Sequence, residues 1–204
     1  MLVSQCRRSG IVIGGATVHG RVPDSLAGRE PFYSFESYPL REYVNYLFKY
    51  SNNFAAEMLF KTIGAEQDTV PGSWEKGSRA VGSWWKARKL PGKITVRNGS
   101  GMGSVNRISP EQIVGLLEYA RHSASWYPEF LAAPSIGGID GTLESRFSRS
   151  PLKGYVRAKT GTLNNHGVST LAGYILHPKG RYSFAIFINN EGTAQYDHWK
   201  LQED

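Results

Sequence analysis

The spacing of hydrophobic positions changes several times along the chain, and each change predicts a different element. Over residues 10–20, short β-branched runs alternate with glycines, which predicts a strand interrupted by a turn or bulge. From Leu40 the spacing becomes helical, with Leu40, Tyr43 and Val44, then Leu47 and Phe48 on one face. The run Tyr50-Ser51-Asn52-Asn53 stops that helix, because Ser and Asn side chains compete for backbone hydrogen bonds. A second helix is expected to start there, with Asn52 or Asn53 as N-cap and Phe54, Met58, Leu59 and Ile63 on its apolar face. The predicted unit is helix, short polar corner, helix.

Residues 73–90 continue the helical pattern with Trp74, Val81, Trp84 and Trp85, and end before Pro91-Gly92. A short strand is expected at 94–97, leading into the glycine-rich loop 98–106. Ser109-Pro110-Glu111-Gln112 is the clearest helix start, with an N-cap Ser, Pro at the first helical position and Gln three residues after the cap. A shorter helix over 141–147, with Asp140 as its cap, precedes strands at 155–163, 169–177 and 181–190. Strand, helical block and antiparallel meander make an α+β fold in which helices pack on an antiparallel sheet. There is no internal repeat, low-complexity tract or long linker to mark a domain boundary.

Composition narrows the function classes. With 204 residues, 40% of them hydrophobic, 12% aromatic and 20% charged, the chain is neither disordered nor collagenous nor coiled-coil. A lone Cys6 excludes an intramolecular disulfide framework and any multi-cysteine metal site. No stretch reaches the roughly 18 apolar residues of a membrane span. The start is not a secretory signal either, since Arg7 and Arg8 precede a glycine-rich run too short for an apolar core. If the protein works outside the cytoplasm, its export signal is expected elsewhere.

The net charge of +7 is spread out. Its densest run, Lys86 to Lys89 with Lys93 beyond, reads as a solvated helix end. Trp74, Trp84 and Trp85 beside that run could stack on a nucleic-acid strand, but aromatics at helical spacing are ordinarily core, so no nucleic-acid partner is expected. His19, His122, His166, His177 and His198 lie in neither a nucleophile-elbow nor an H-E-x-x-H context, and no metal or cofactor is expected.

Two polar motifs are wrong for packing. One is Ser51-Asn52-Asn53 at the helix corner; the other is Lys159-Thr160-Gly161-Thr162 inside a strand, where a Lys beside a Gly leaves a charge to be placed and lets something approach the backbone. Singly, these are a capping corner and an exposed strand end. Together they match two of the three signatures of penicillin-binding proteins and serine β-lactamases, Ser-x-Asn and Lys-Thr-Gly.

With the flanking blocks Tyr50 to Leu59, Asn98-Gly-Ser-Gly-Met, Asn106-Arg-Ile-Ser-Pro110, Gly138-Ile-Asp-Gly-Thr-Leu143 and Val156 to Leu163, the chain resembles the D-alanyl-D-alanine carboxypeptidase/endopeptidase family of low-molecular-mass, class C penicillin-binding proteins. The resemblance implies the penicillin-binding/β-lactamase-like transpeptidase fold. It also implies a serine-type enzyme that cleaves peptidoglycan stem peptides through an acyl-serine, takes β-lactams, needs no cofactor and works in the periplasm or another extracytoplasmic space. By motif match, Ser51 relays a proton to the leaving amine and Asn53 bonds the acyl-side amide. Lys159 and Thr160 hold the C-terminal carboxylate, Gly161 clears the strand face, and the Thr162 N–H is an oxyanion donor. Asp140, Asn98 and Ser100 are implied near the site.

The family's nucleophile belongs to a Ser-x-x-Lys motif upstream of Ser51, and none precedes Ser51 here. That spacing occurs further along the chain, as at Ser73 to Lys76 and Ser83 to Lys86, but every such pair follows Ser51, and with 20 serines and 10 lysines chance alone supplies such pairs. Ser73 or Gly72 reads as a helix cap. Residues 1–204 are therefore expected to be the C-terminal part of one penicillin-binding domain, incomplete on its N-terminal side and inactive alone. Residues 192–204 look too short for the family's closing helix. A wall-polymer-binding module on the same fold and a related serine esterase or β-lactamase are the alternative readings.

Overall fold

A computed structural model of the chain describes residues 2–16, 18–21, 23–26, 28–30, 34, 36–163, 166–190 and 195–203. Residues 1–37 and 38–204 form separate compact units. The first contains helix α1 (Leu2–Arg8) and a 3-10 turn at Asp24–Leu26. The described parts of 10–20 lie outside any strand, contrary to the reading above. A β-branched run makes a strand only where another strand accepts its backbone bonds, and none pairs there among the described residues.

The second unit runs through α2 (Leu40–Tyr50), α3 (Asn53–Gln67), α4 (Trp74–Ala87), α5 (Pro110–Ser123) and the short α6 (Tyr127–Ala132). A four-stranded antiparallel sheet follows, in the order β1 (Ser135–Ile136), β2 (Val156–Leu163), β3 (Val168–His177) and β4 (Gly180–Asn189). Asn52 caps α3 by accepting from the Ala55 N–H, Ser73 caps α4, and Ser109 with Gln112 forms a complete capping box on α5. β3 is covered on both faces. Tyr174 donates its hydroxyl to Leu117 O on α5, while Leu171, an odd three residues away and so on the opposite face, joins a core of Leu143, Phe147, Val156 and Ala158.

Several expectations are corrected. The apolar face of α3 points outward, with Phe54 73% exposed; its buried residues are Ala55, Phe60 and Gly64. The cause is backbone approach: a Cβ on Gly64 would lie 2.5 Å from Gly77 N of α4, and one on Gly77 would lie 2.6 Å from Phe60 O. The predicted inner face of α2 is only half-buried and Leu40 is exposed. Residues 94–97 make a single bridge, Thr95 to Arg107, and 141–147 makes only a 3-10 turn, Gly141–Leu143, with Phe147 at φ 61 beyond it. The closing helix thought too short does form, as α7 (Gln195–Glu203). Buried Arg146 secures it, bonding Glu203 at 2.7 Å and Gln202 at 3.0 Å, while Gln202 donates to Ser169 of β3.

Candidate active site

Ser51 follows the last residue of α2 and takes a left-handed backbone, φ 54 and ψ 50, which turns the chain sharply into α3. That turn brings the corner against β2, where the Lys159 ammonium donates to Ser51 Oγ at 2.6 Å and to Thr160 O at 2.6 Å. Residues 108 apart in sequence thus meet through their polar atoms. No carboxylate contacts this ammonium among the described residues, and burial pushes its pKa from 10.5 down to about 8.

Asn53 opens α3 and its amide donates to Met102 Sδ at 3.3 Å. It lines an open cavity of about 550 Å³ with Phe54, Glu57, Trp74, Asn98 and Met102. Gly161 and Thr162 line a second, of about 500 Å³, with Ser104, Asn106 and Arg107. Thr170 stands beside Gly161, and a Cβ there would lie 2.5 Å from its hydroxyl, so only glycine leaves that place open. β1 accompanies β2 no further than Ala158, so β2 continues through Lys159, Thr160 and Gly161 with a strand neighbour, β3, on one side only among the described residues.

Two brackets hold these pieces. Glu57 of α3 ties down the glycine-rich loop, accepting from Ser100 Oγ at 2.5 Å, from the Ser100 and Gly99 N–H groups, and from Trp74 Nε1. Partial burial raises the Glu57 pKa, but these donors outweigh it and hold the carboxyl below its ordinary value. Asn98 serves the same loop, bonding Met102 O and the Gly101 N–H. The second bracket starts at Lys49, in the last turn of α2, whose ammonium reaches both Asp140 oxygens (2.7 and 2.9 Å) and Pro134 O. Asp140 does not cap the following turn with its side chain, as the sequence suggested; it accepts from Lys49 and from the Ile136 N–H.

Ser73 of the first Ser-x-x-Lys spacing accepts from the Lys76 N–H, and the Lys76 ammonium bonds Thr69 O, Thr69 Oγ1 and Pro71 O, so this pair caps a helix. Ser83 and Lys86 are exposed on α4. Sequence reasoning did not single out Lys49, Glu57, Ser135 or Thr142. Lys49, a cation two residues before the motif in a half-buried helical turn, was the detectable signal among them.

Residues 1–202 match the model of the D-Ala-D-Ala carboxypeptidase 3 (S13) family. The chain belongs to that family. It is 32% identical over 188 residues to the D-alanyl-D-alanine carboxypeptidase of Actinomadura sp. (strain R39), covering 89% of this chain and 34% of the relative. To the D-alanyl-D-alanine carboxypeptidase DacB of Haemophilus influenzae it is 30% identical over 165 residues, covering 79% and 34%. The chain therefore spans about a third of the length of these curated relatives. The crystal structure of penicillin binding protein 4 from Haemophilus influenzae, complexed with a novel β-lactam, superposes with a TM-score of 0.79 at 27% identity, over 96% of this chain and 45% of that one. The fold is that of the penicillin-binding proteins, α+β with an antiparallel sheet, as the motifs implied.

Proposed function

We propose that this chain forms the Ser-x-Asn and Lys-Thr-Gly part of a serine-type D-Ala-D-Ala carboxypeptidase/endopeptidase acting on peptidoglycan stem peptides, and taking β-lactams, outside the cytoplasm. The observation that carries this reading is the 2.6 Å contact between Lys159 and Ser51, which joins the two motifs into one polar site.

The attacking serine and its lysine come from a Ser-x-x-Lys segment outside these 204 residues. An extended peptide lies along Lys159, Thr160 and Gly161, where β2 has room for a further strand. Its terminal carboxylate meets the Lys159 ammonium and the Thr160 hydroxyl, its acyl-side amide meets Asn53, and its scissile carbonyl meets the Thr162 N–H. As the carbon–nitrogen bond breaks, Ser51 gives its hydroxyl proton to the departing amine and regains one from Lys159. A lysine pKa of about 8 suits that exchange, because neither protonation state is far out of reach near neutrality.

Acylation by a fluorescent penicillin tests the assignment. In the full-length protein, Lys159→Ala and Ser51→Ala each slow labelling on the order of 100-fold, the lower end for a lost proton-transfer group, while the 204-residue chain alone stays unlabelled. Stable labelling of the chain alone, abolished by Ser73→Ala or Ser83→Ala, would overturn it.

A further inference from the structure

Behind Thr160 stands a file of hydroxyls that the motifs do not account for. Thr160 Oγ1 lies 2.9 Å from Thr142 Oγ1 and donates to it. Thr142 in turn is fixed twice by Ser135: its N–H donates to Ser135 Oγ at 3.1 Å, and the two hydroxyls are 3.2 Å apart. Ser135 is fully buried, and its hydroxyl can also donate to Lys49 O, 3.4 Å away on α2. Gly141, at φ +58, lets the file close, since a Cβ there would collide with Ser135 Oγ and lie 2.7 Å from Lys49 O.

The proton directions have two consistent settings. In one, Thr160 gives its proton to Thr142. In the other, Ser135 donates to Lys49 O, Thr142 donates to Thr160, and the Thr160 proton is released to point away from the file. A carboxylate carries no proton, so Thr160 can bond it only in the second setting. A hydroxyl at 142 suits both settings, accepting from Thr160 in the first and, by donating to it in the second, turning the Thr160 proton outward, which a methyl group cannot do.

We infer that Thr142 is a positioning residue for carboxylate recognition: it holds the Thr160 hydroxyl and reverses their shared hydrogen bond when an anionic peptide end binds. This rests on the reading of Lys159 and Thr160 as the carboxylate site, and it adds that the Gly-Thr step at 141–142 and Ser135 exist to serve that site.

Because binding needs no nucleophile, the test uses the 204-residue chain. The backbone amide signals of Thr160 and Gly161 are titrated by NMR with N-acetyl-D-Ala-D-Ala and with the same dipeptide carrying a C-terminal amide. The unaltered chain prefers the acid. Thr142→Val, equal in size, weakens acid binding by about 10-fold, the scale of one charge-assisted hydrogen bond, and leaves amide binding within about 2-fold. Thr142→Ser keeps the preference. A preference undiminished in Thr142→Val would overturn the inference while leaving the carboxylate site standing. No preference in the unaltered chain would overturn the site and the inference together. Should Thr142→Val lose its dispersed spectrum, Ser135→Ala, which removes the hydroxyl that fixes Thr142, is read in the same way: a lowered acid preference supports the inference and an unchanged one overturns it.

Discussion

Lys159 is a cation placed in the middle of a strand, and its stability consequence has a definite sign. Burial lowers its pKa from 10.5 to about 8, so below pH 8 the folded chain holds an ammonium that the unfolded chain would hold in water. The unfolded state binds more protons between about pH 8 and 10.5, and stability rises with pH across that window. Lys159→Met is therefore expected to stabilise the fold near pH 7 by about 2 kcal/mol. That is less than the roughly 3 kcal/mol the shift represents, because the bonds to Ser51 Oγ and Thr160 O are lost too. Urea unfolding at several pH values checks this: the gain should shrink from pH 8 to 10.5, and a gain independent of pH would contradict it. Lys159 and Ser51 were legible in the sequence because a charge in a strand and a polar helix corner are both out of place. Thr142 and Ser135 were not, since a small hydroxyl looks the same in a turn, a cap or a site until its partner is located.

Among the elements, the α3–α4 pair shows where periodicity misleads. Two glycines set how near the helices lie, and the side chains then bury whatever faces that contact, here Ala55 and Phe60 rather than Phe54, Met58 and Ile63. Gly77→Ala puts a methyl group where the Phe60 carbonyl and ring already stand, so the helices must separate. The expected cost is about 2 kcal/mol, in the range of overpacking, even though alanine favours helix more than glycine does. Thermal unfolding measures it; a rise in Tm would mean that the helices are not in close contact. By contrast the start of α5 was read to the residue, because its capping box and Pro110 are local signals that need no tertiary partner. The short strand at 94–97 failed for the opposite reason, since only Thr95 found a strand partner.

For the molecule as a whole, the closing helix α7 depends on one buried cation. The Arg146 side chain is 4% exposed and bonds Glu203 at 2.7 Å, and its guanidinium lies against the rings of Phe147 and Trp199. Glu203→Ala leaves that charge buried without its carboxylate and is expected to cost about 3 kcal/mol, whereas replacing both partners together, Arg146→Met with Glu203→Leu, recovers most of the loss. Chemical denaturation of the single and double variants distinguishes the cases; equal losses in both would show that the pair is not what holds α7. Such a helix was hard to foresee because its anchor, residue 146, lies more than 50 positions upstream in a segment read as a helix of its own. The region 10–20 erred the other way, with strand-forming residues and no strand to receive them among the described residues.

Gly141 touches no substrate in the scheme above and offers no group that could react, yet two distant elements close over the space it leaves. Every single-base change of a glycine codon that alters the amino acid gives either a stop or a residue with a Cβ. In the language of heredity, position 141 tolerates silent changes and no others, and what the gene must transmit there is the shape of an empty place.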